Sequence, residues 1–252
     1  MKRLVSIVAF LLGTAVFAPA ATLNDVKILE ASENIKYLTQ NIAKNYLYLY
    51  IYPHKEGLKD TIQNAIQDIE KNIRTIAIMT KAEKTKEILD FFAYEKEQIK
   101  LLLSQKPNAT HASEVLDFSE ALTEGAESIA SAIKYDFSSE DKMFMRSKNI
   151  EYLIEKLAKY YMVLGSNIDH MTIAKKLGNT IKEVEKDMEA IQQYTYPEAL
   201  NAKKKDILKL WNTNKHYYAE IDSIKMPSVI LLSTDGLQSI MSQIAIHHGK
   251  GE

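Results

Sequence analysis

The chain has 252 residues, 26% of them charged, with 32 lysines and arginines against 33 aspartates and glutamates for a formal net charge of −1. That balance lacks the basic stripe a nucleic-acid or anionic-membrane binder needs, and the absence of cysteine excludes a disulfide framework, so stability must come from a buried core. Eight glycines and five prolines are few for the length, and alanine, leucine, isoleucine, lysine and glutamate are plentiful, a composition of helices rather than sheets.

The first residues read as an export signal at 1–20. Lys2 and Arg3 form a basic start, Leu4–Phe17 is apolar, and Ala18-Pro19-Ala20 fits the small-x-small cleavage pattern. The apolar run is shorter than the roughly 20 residues of a spanning helix, so cleavage rather than anchoring is expected. Removing Lys2 and Arg3 takes the formal charge from −1 to −3. No later stretch is expected to cross a bilayer. The mature product is expected to be soluble and periplasmic.

Apolar residues then recur every three or four positions, the pattern of amphipathic helices. The first segment, about 23–52, carries Val26, Leu29, Ile35, Leu38 and Ile42. The second, about 57–80, carries Leu58, Ile62, Ile66 and Ile69; the third, about 83–105, carries Ile88, Phe91, Phe92 and Ile99. The fourth, about 111–135, carries Val115, Phe118, Leu122 and Ile129. Four more follow at about 139–166, 169–194, 198–224 and 228–248. Each predicts one apolar stripe on an otherwise charged helix. Pro53, Pro107, Pro197 and Pro227 fall at the junctions, where a missing N–H costs least. Ser138 with Asp141 offers N-cap chemistry at the fifth helix, which makes Tyr135-Asp136-Phe137 the joint between halves. Tyr46–Tyr52 alternates with period two and has strand character by itself. Nothing else would pair with it, and helix is the expected state.

The halves repeat. Ser32–Tyr46, SENIKYLTQNIAKNY, returns without a gap as Ser147–Tyr161, SKNIEYLIEKLAKYY, at a fixed offset of 115 residues. The register continues through Asn64, Ile66, Glu70, Lys71 and Ile76, which return as Asn179, Ile181, Glu185, Lys186 and Ile191. A tandem duplication of one helical unit follows. The expected fold is all-α: two tandem antiparallel four-helix-bundle modules after the signal, at 21–136 and 137–252. Ile35 and Ile150, Leu38 and Leu153, and Ile66 and Ile181 are expected in matching core positions.

The repeated stretch, with its Leu38-Thr39-Gln40-Asn41-Ile42-Ala43-Lys44 core, resembles the N-terminal sensory domain of type IV pili methyl-accepting chemotaxis transducers. It is also similar to the periplasmic sensor of nitrate/nitrite histidine kinases. The family motif runs from a small residue and glycine through an Arg-Met-Leu-Ser-Gln-like run into Ile-Ala-Lys. The likeness covers the first two helices of each module; the others match in length and pattern. It implies an all-helical periplasmic module, generally fused to a transmembrane signalling protein and often dimeric. In that family the outward face of the first helix meets a partner helix, and a positive group there receives an anion. The motif arginine aligns with Lys36 and with Glu151, the glycine with Glu33 and Lys148, and the methionine with Tyr37 and Tyr152. Lysine keeps the charge but lacks the planar fork of arginine, and glutamate reverses it. The resemblance thus places a ligand- or partner-binding surface at Asn34, Lys36 and Gln40 of the first module, with solvated lysine as the plain alternative for Lys36.

No catalytic motif accompanies this. There is no nucleophile elbow, phosphate loop or dinucleotide fingerprint. His54, His111, His170, His216, His247 and His248 lack chelating spacing, so structural or exposed roles are expected and no metal site. Glu114 and Asp117 near His111 have no second set in register for a di-metal centre. Trp211 and the tyrosine cluster are expected in the core, with lining a pocket as the alternative. The expected function is an exported, non-catalytic sensory or ligand-binding protein without cofactor. Its expected partners are a small anionic ligand, a membrane receptor or signalling protein of the type IV pili or chemotaxis kind, and a second copy in a homodimer; nucleic acid is not among them. The alternative is a structural adaptor that binds proteins through its helical faces.

Overall fold

The Tyr46–Tyr52 passage lies in helix through Ile51, at the end of α1 (Leu23–Ile51). Tyr46, Leu47, Tyr48 and Leu49 are all buried. A helix covered on every side needs no 3.6-residue apolar period, which is why period-two alternation could sit on it. The computed structural model describes residues 23–166, 168, 172–221 and 225–249. The stretch expected to be an export signal and His170 lie outside the described residues.

Among the described residues the chain forms eight α-helices and no strand. After α1 come α2 (Leu58–Met79), α3 (Glu83–Ser104) and α4 (Ala109–Ala132). The second half gives α5 (Ser139–Leu164), α6 (Ile173–Gln193), α7 (Glu198–Ala219) and α8 (Pro227–Gly249). Each helix packs on its successor within its half, α4 returns to α1, and α8 returns to α5. Each half is thus a four-helix bundle, and α1 packs along α5 to join them.

Local chemistry sets the boundaries. The turn into α2 ends on Gly57, whose φ of 78° is the left-handed conformation that glycine adopts without steric cost. Pro107 precedes α4, where the Asn108 side chain accepts from His111 N–H as N-cap. Pro197 caps α7 and Pro227 opens α8. At the joint, helix stops at Ala132 and restarts at Ser139 under a reciprocal capping box between Ser138 and Asp141. Tyr135 Oη also donates to Asp141, at 2.8 Å.

The 115-residue repeat extends further than the matched motif. Val115 and Ile230, Leu122 and Leu237, and Ile129 and Ile244 are buried equivalents on α4 and α8. Phe92 and Ile207, and Leu103 and Tyr218, are buried equivalents on α3 and α7. Ile35 and Ile150 are both fully buried, and Leu38 and Leu153 are buried too. Trp211 is a core residue.

Two expectations change. Ile66 is buried, but its equivalent Ile181 is only partly covered, packed at the edge of the core. Met188 is instead fully buried where the first module has the half-covered Ile73. The two positions are seven residues apart and share one helix face, so the difference lies along the helix: α6 is covered more fully at Met188 and α2 at Ile66. Ile66→Ala is expected to cost about 2–5 kcal/mol of unfolding free energy and Ile181→Ala clearly less, because its site is open on one side. Equal losses in urea titrations would place both in equivalent core sites. Secondly, α8 is long and apolar enough to cross a membrane. Ile230, Leu237, Met241 and Ile244 on it are buried, and it packs against α5 and α7.

Candidate functional site

The face that α1 turns away from its own bundle is polar, and the structure buries it. Glu33, Lys36, Lys44 and Asn45 are almost wholly covered, as are Glu151, Glu155 and Lys159 on α5. Charges taken from water need partners, and Lys44, Glu155 and Lys159 find theirs across the joint between modules. Lys44 Nζ lies 2.9 Å from Glu155 Oε2, with both side chains 1% exposed, and 3.6 Å from Asp235 Oδ1 on α8. Asn41 Nδ2 donates to Glu155 Oε1 at 3.2 Å. Lys159, the repeat of Lys44, reaches Glu120 on α4 at 2.5 Å. Glu120 and Asp235 are themselves repeats of one position. Each module's first helix therefore sends a buried lysine to the last helix of the other module, as in a two-fold dimer made from one chain.

The symmetry is broken by charge. Glu33 and Lys36 pair on α1, whereas the equivalent positions on α5 hold Lys148 and Glu151, paired at 3.1 Å with signs exchanged. Lys36 Nζ is 3.0 Å from both carboxylate oxygens of Glu33 and 4.5 Å from the centre of the Tyr152 ring. Burial pushes the Glu33 carboxyl above its ordinary range, opposed by Lys36. Glu151 is raised for the same reason, opposed by Lys148. Tyr37, the repeat of Tyr152, is raised by burial and then by Glu155, Glu151, Asp235 and Asp68, so it stays a neutral phenol in a negative field.

Two clefts flank the α1–α5 seam at equivalent places. The larger, about 530 Å³, lies between α1, α2, α5 and α8; Asn34, Tyr37, Asp68, Lys71, Asn72, Lys148, Glu151, Asp235, Gln238, Ser239 and Ser242 line it. Its counterpart, about 370 Å³, is lined by Glu33, Phe137, Arg146, Asn149, Lys186 and Asp187 among others. Cross-links repeat as well. Asn34 donates to Asn72 at 3.3 Å where Asn149 donates to Asp187 at 2.7 Å.

Of the residues expected to bind, Asn34 lines the larger cleft. Lys36 is buried rather than solvated, its charge held by Glu33 and stacked on Tyr152. Gln40 Nε2 donates to Thr123 Oγ1 on α4 at 2.8 Å, so it serves its own bundle. The structure does not gather these three at one cavity. It gathers Asn34 with Tyr37, Glu151 and Asp235 instead. The sequence signal for these was the sign exchange at 33/148 and 36/151 beside the retained Asn34, Ile35, Tyr37 and Leu38 of the repeat. Among the described residues no group of three or more His, Asp or Glu is placed to hold a metal ion. His54 is exposed, whereas His248 is buried, 2.6 Å from Glu140 and 3.0 Å from Tyr196 Oη, tying the end of α8 to α5 and to the turn before α7.

Lys159 gives a pH test of the seam. Burial pulls its ammonium from 10.5 down to about 8 despite Glu120. A lysine whose folded value lies below its unfolded one destabilises the fold below the folded value, and the cost is relieved as pH rises from there towards 10.5. Lys159→Met removes that cost at every pH. Its advantage in urea unfolding is expected to shrink by about 1–2 kcal/mol between pH 7 and pH 9.5. A pH-independent difference would mean the charge is not what costs stability.

Compared with known proteins, the chain matches no family model, no curated protein and no solved structure. The geometry of the seam and its clefts therefore carries the functional reading.

Proposed function

We propose that this is an exported, non-catalytic helical sensory protein that binds a small ligand between its two modules. It then acts with a membrane receptor of the type IV pili or chemotaxis kind. The supporting observation is the larger cleft, where residues of α1 and α2 meet residues of α5 and α8 over one polar cavity. A site built from both modules makes ligand binding sensitive to how they sit together, which a sensor needs. The cavity size suits a small organic molecule or ion. The resemblance of Ser32–Tyr46 to sensory domains that pair through their first helices points the same way, since α1 and α5 pair here within one chain.

An adaptor role draws on a different feature. Phe91, Tyr94 and Leu101 are exposed along one face of α3. A thermal-shift screen with nitrate, nitrite, amines, amino acids and polyols separates the readings. A saturable rise in Tm with any of them is expected for the sensor, because a ligand that binds only the native state stabilises it. A flat response to every class would favour the adaptor.

A further inference from the structure

The two clefts are equivalent by repeat but not by chemistry. On one side the protein fills the place over Tyr152 with its own ammonium: Lys36 Nζ stacks 4.5 Å from the ring centre and is gripped by both oxygens of Glu33. On the other side, Tyr37 stands where Tyr152 stands in the repeat, but the position of Lys36 is taken by a carboxylate, Glu151. Glu151 Oε2 is 3.1 Å from Lys148, while Oε1 is buried and has no hydrogen-bond partner among the described residues. A buried carboxylate oxygen without a donor is costly, and a ligand N–H supplied there would offset that cost.

The remaining charges agree. Lys71 is engaged with Asp68 at 2.7 Å and Lys148 with Glu151, which leaves Asp235 as the third carboxylate of the cleft. Asp235 shares Lys44 with the buried Glu155, so its charge is only partly answered. Its side chain is 68% exposed and open to an arriving cation.

We propose that the cleft at Tyr37 binds a small organic ammonium compound, its N–H groups donating to Glu151 Oε1 and Asp235 and its charge resting on the Tyr37 ring. The bound ligand reproduces on this side the tyrosine–ammonium–carboxylate contact that Tyr152, Lys36 and Glu33 make within the chain. Ammonium over an aromatic face is an established attraction, strongest when desolvated. Burial raises the Tyr37 phenol most, and Glu155, Glu151, Asp235 and Asp68 add to it, which places the ring in a negative field. This proposal rests on the sensory reading above and names the ligand class of its site.

The test uses the mature chain with ethanolamine, putrescine and benzylamine as probes, and ethylene glycol, 1,4-butanediol and benzyl alcohol as their uncharged counterparts, by calorimetric titration and thermal shift. At least one ammonium probe is expected to bind saturably with one site per chain, and its uncharged counterpart not to bind. Glu151→Gln and Asp235→Asn are expected each to raise its Kd ten-fold or more; Asp235→Asn, on an exposed side chain, keeps the fold intact should Glu151→Gln weaken it. Tyr37→Leu is expected to weaken binding as well. Absence of binding by all three amines, or affinities unchanged in both carboxamide variants, would overturn the proposal. A saturable shift with nitrate or nitrite but with no amine would also overturn it, and would leave the sensory reading standing.

Discussion

Lys44→Met is expected to cost about 3–5 kcal/mol of unfolding free energy, whereas Lys159→Met, at the equivalent position, is expected to be neutral or stabilising. The difference lies in what each lysine leaves behind. Glu155 is 1% exposed and keeps only the Asn41 amide once Lys44 is gone, so an uncompensated charge remains inside the α1–α5 seam. Glu120 is 42% exposed and can be hydrated when Lys159 is removed. The repeat supplies the control. Glu155 corresponds to Gln40 in the first module, so Lys44→Met combined with Glu155→Gln is expected to recover most of the loss. Urea unfolding of the single and double variants measures each term. Similar losses from the two lysine variants would show that the seam does not hold Glu155 more tightly than Glu120.

Phe92→Ala is expected to cost about 3–5 kcal/mol, the usual result of emptying a large aromatic site in a packed core. Phe92 is fully buried on α3, and α4 approaches it through Gly125. A Cβ at Gly125 would stand 2.3 Å from Phe92 Cε1. Mid-helix glycine is intrinsically poor by about 1 kcal/mol against alanine. Gly125→Ala is nevertheless expected to destabilise, by about 1–3 kcal/mol, because overpacking outweighs that gain. At the repeat-equivalent positions the second module carries other volumes: Ile207 stands for the phenylalanine and Ile240 for the glycine. Phe92→Ile with Gly125→Ile is therefore expected to be less harmful than the sum of the single changes. Additive effects would mean that the two positions are not packed together.

Ligand and lysine chemistry divides differently between sequence and structure. The offset repeat and the apolar spacing in Leu58–Ile69 or Val115–Ile129 are properties of the chain alone, because a one-sided stripe can be buried only as a helix against other helices. The junction prolines and the Ser138–Asp141 cap likewise act within a few residues of themselves. Eight helices in two bundles of four were legible for that reason. Burial of the polar face of α1 was not. Lys36 and Lys44 look like ordinary exposed lysines in sequence, since nothing local separates a solvated charge from one paired 111 residues away with Glu155. The partial cover of Ile181 was equally hidden, because how far neighbouring helices cover each end of an apolar stripe is set by their packing.

What the sequence by itself determined is the helical class, the boundaries and the doubling, all of which follow from short-range periodicity and backbone chemistry. Only the tertiary structure decided that the copies close on each other through α1 and α5. It also decided that the exchanged pairs Glu33–Lys36 and Lys148–Glu151 give one filled and one open tyrosine site, and that Asn34 belongs to a cleft which Lys36 does not line. Those outcomes depend on desolvation and charge pairing between residues far apart in the chain, which become neighbours only once the bundles have packed.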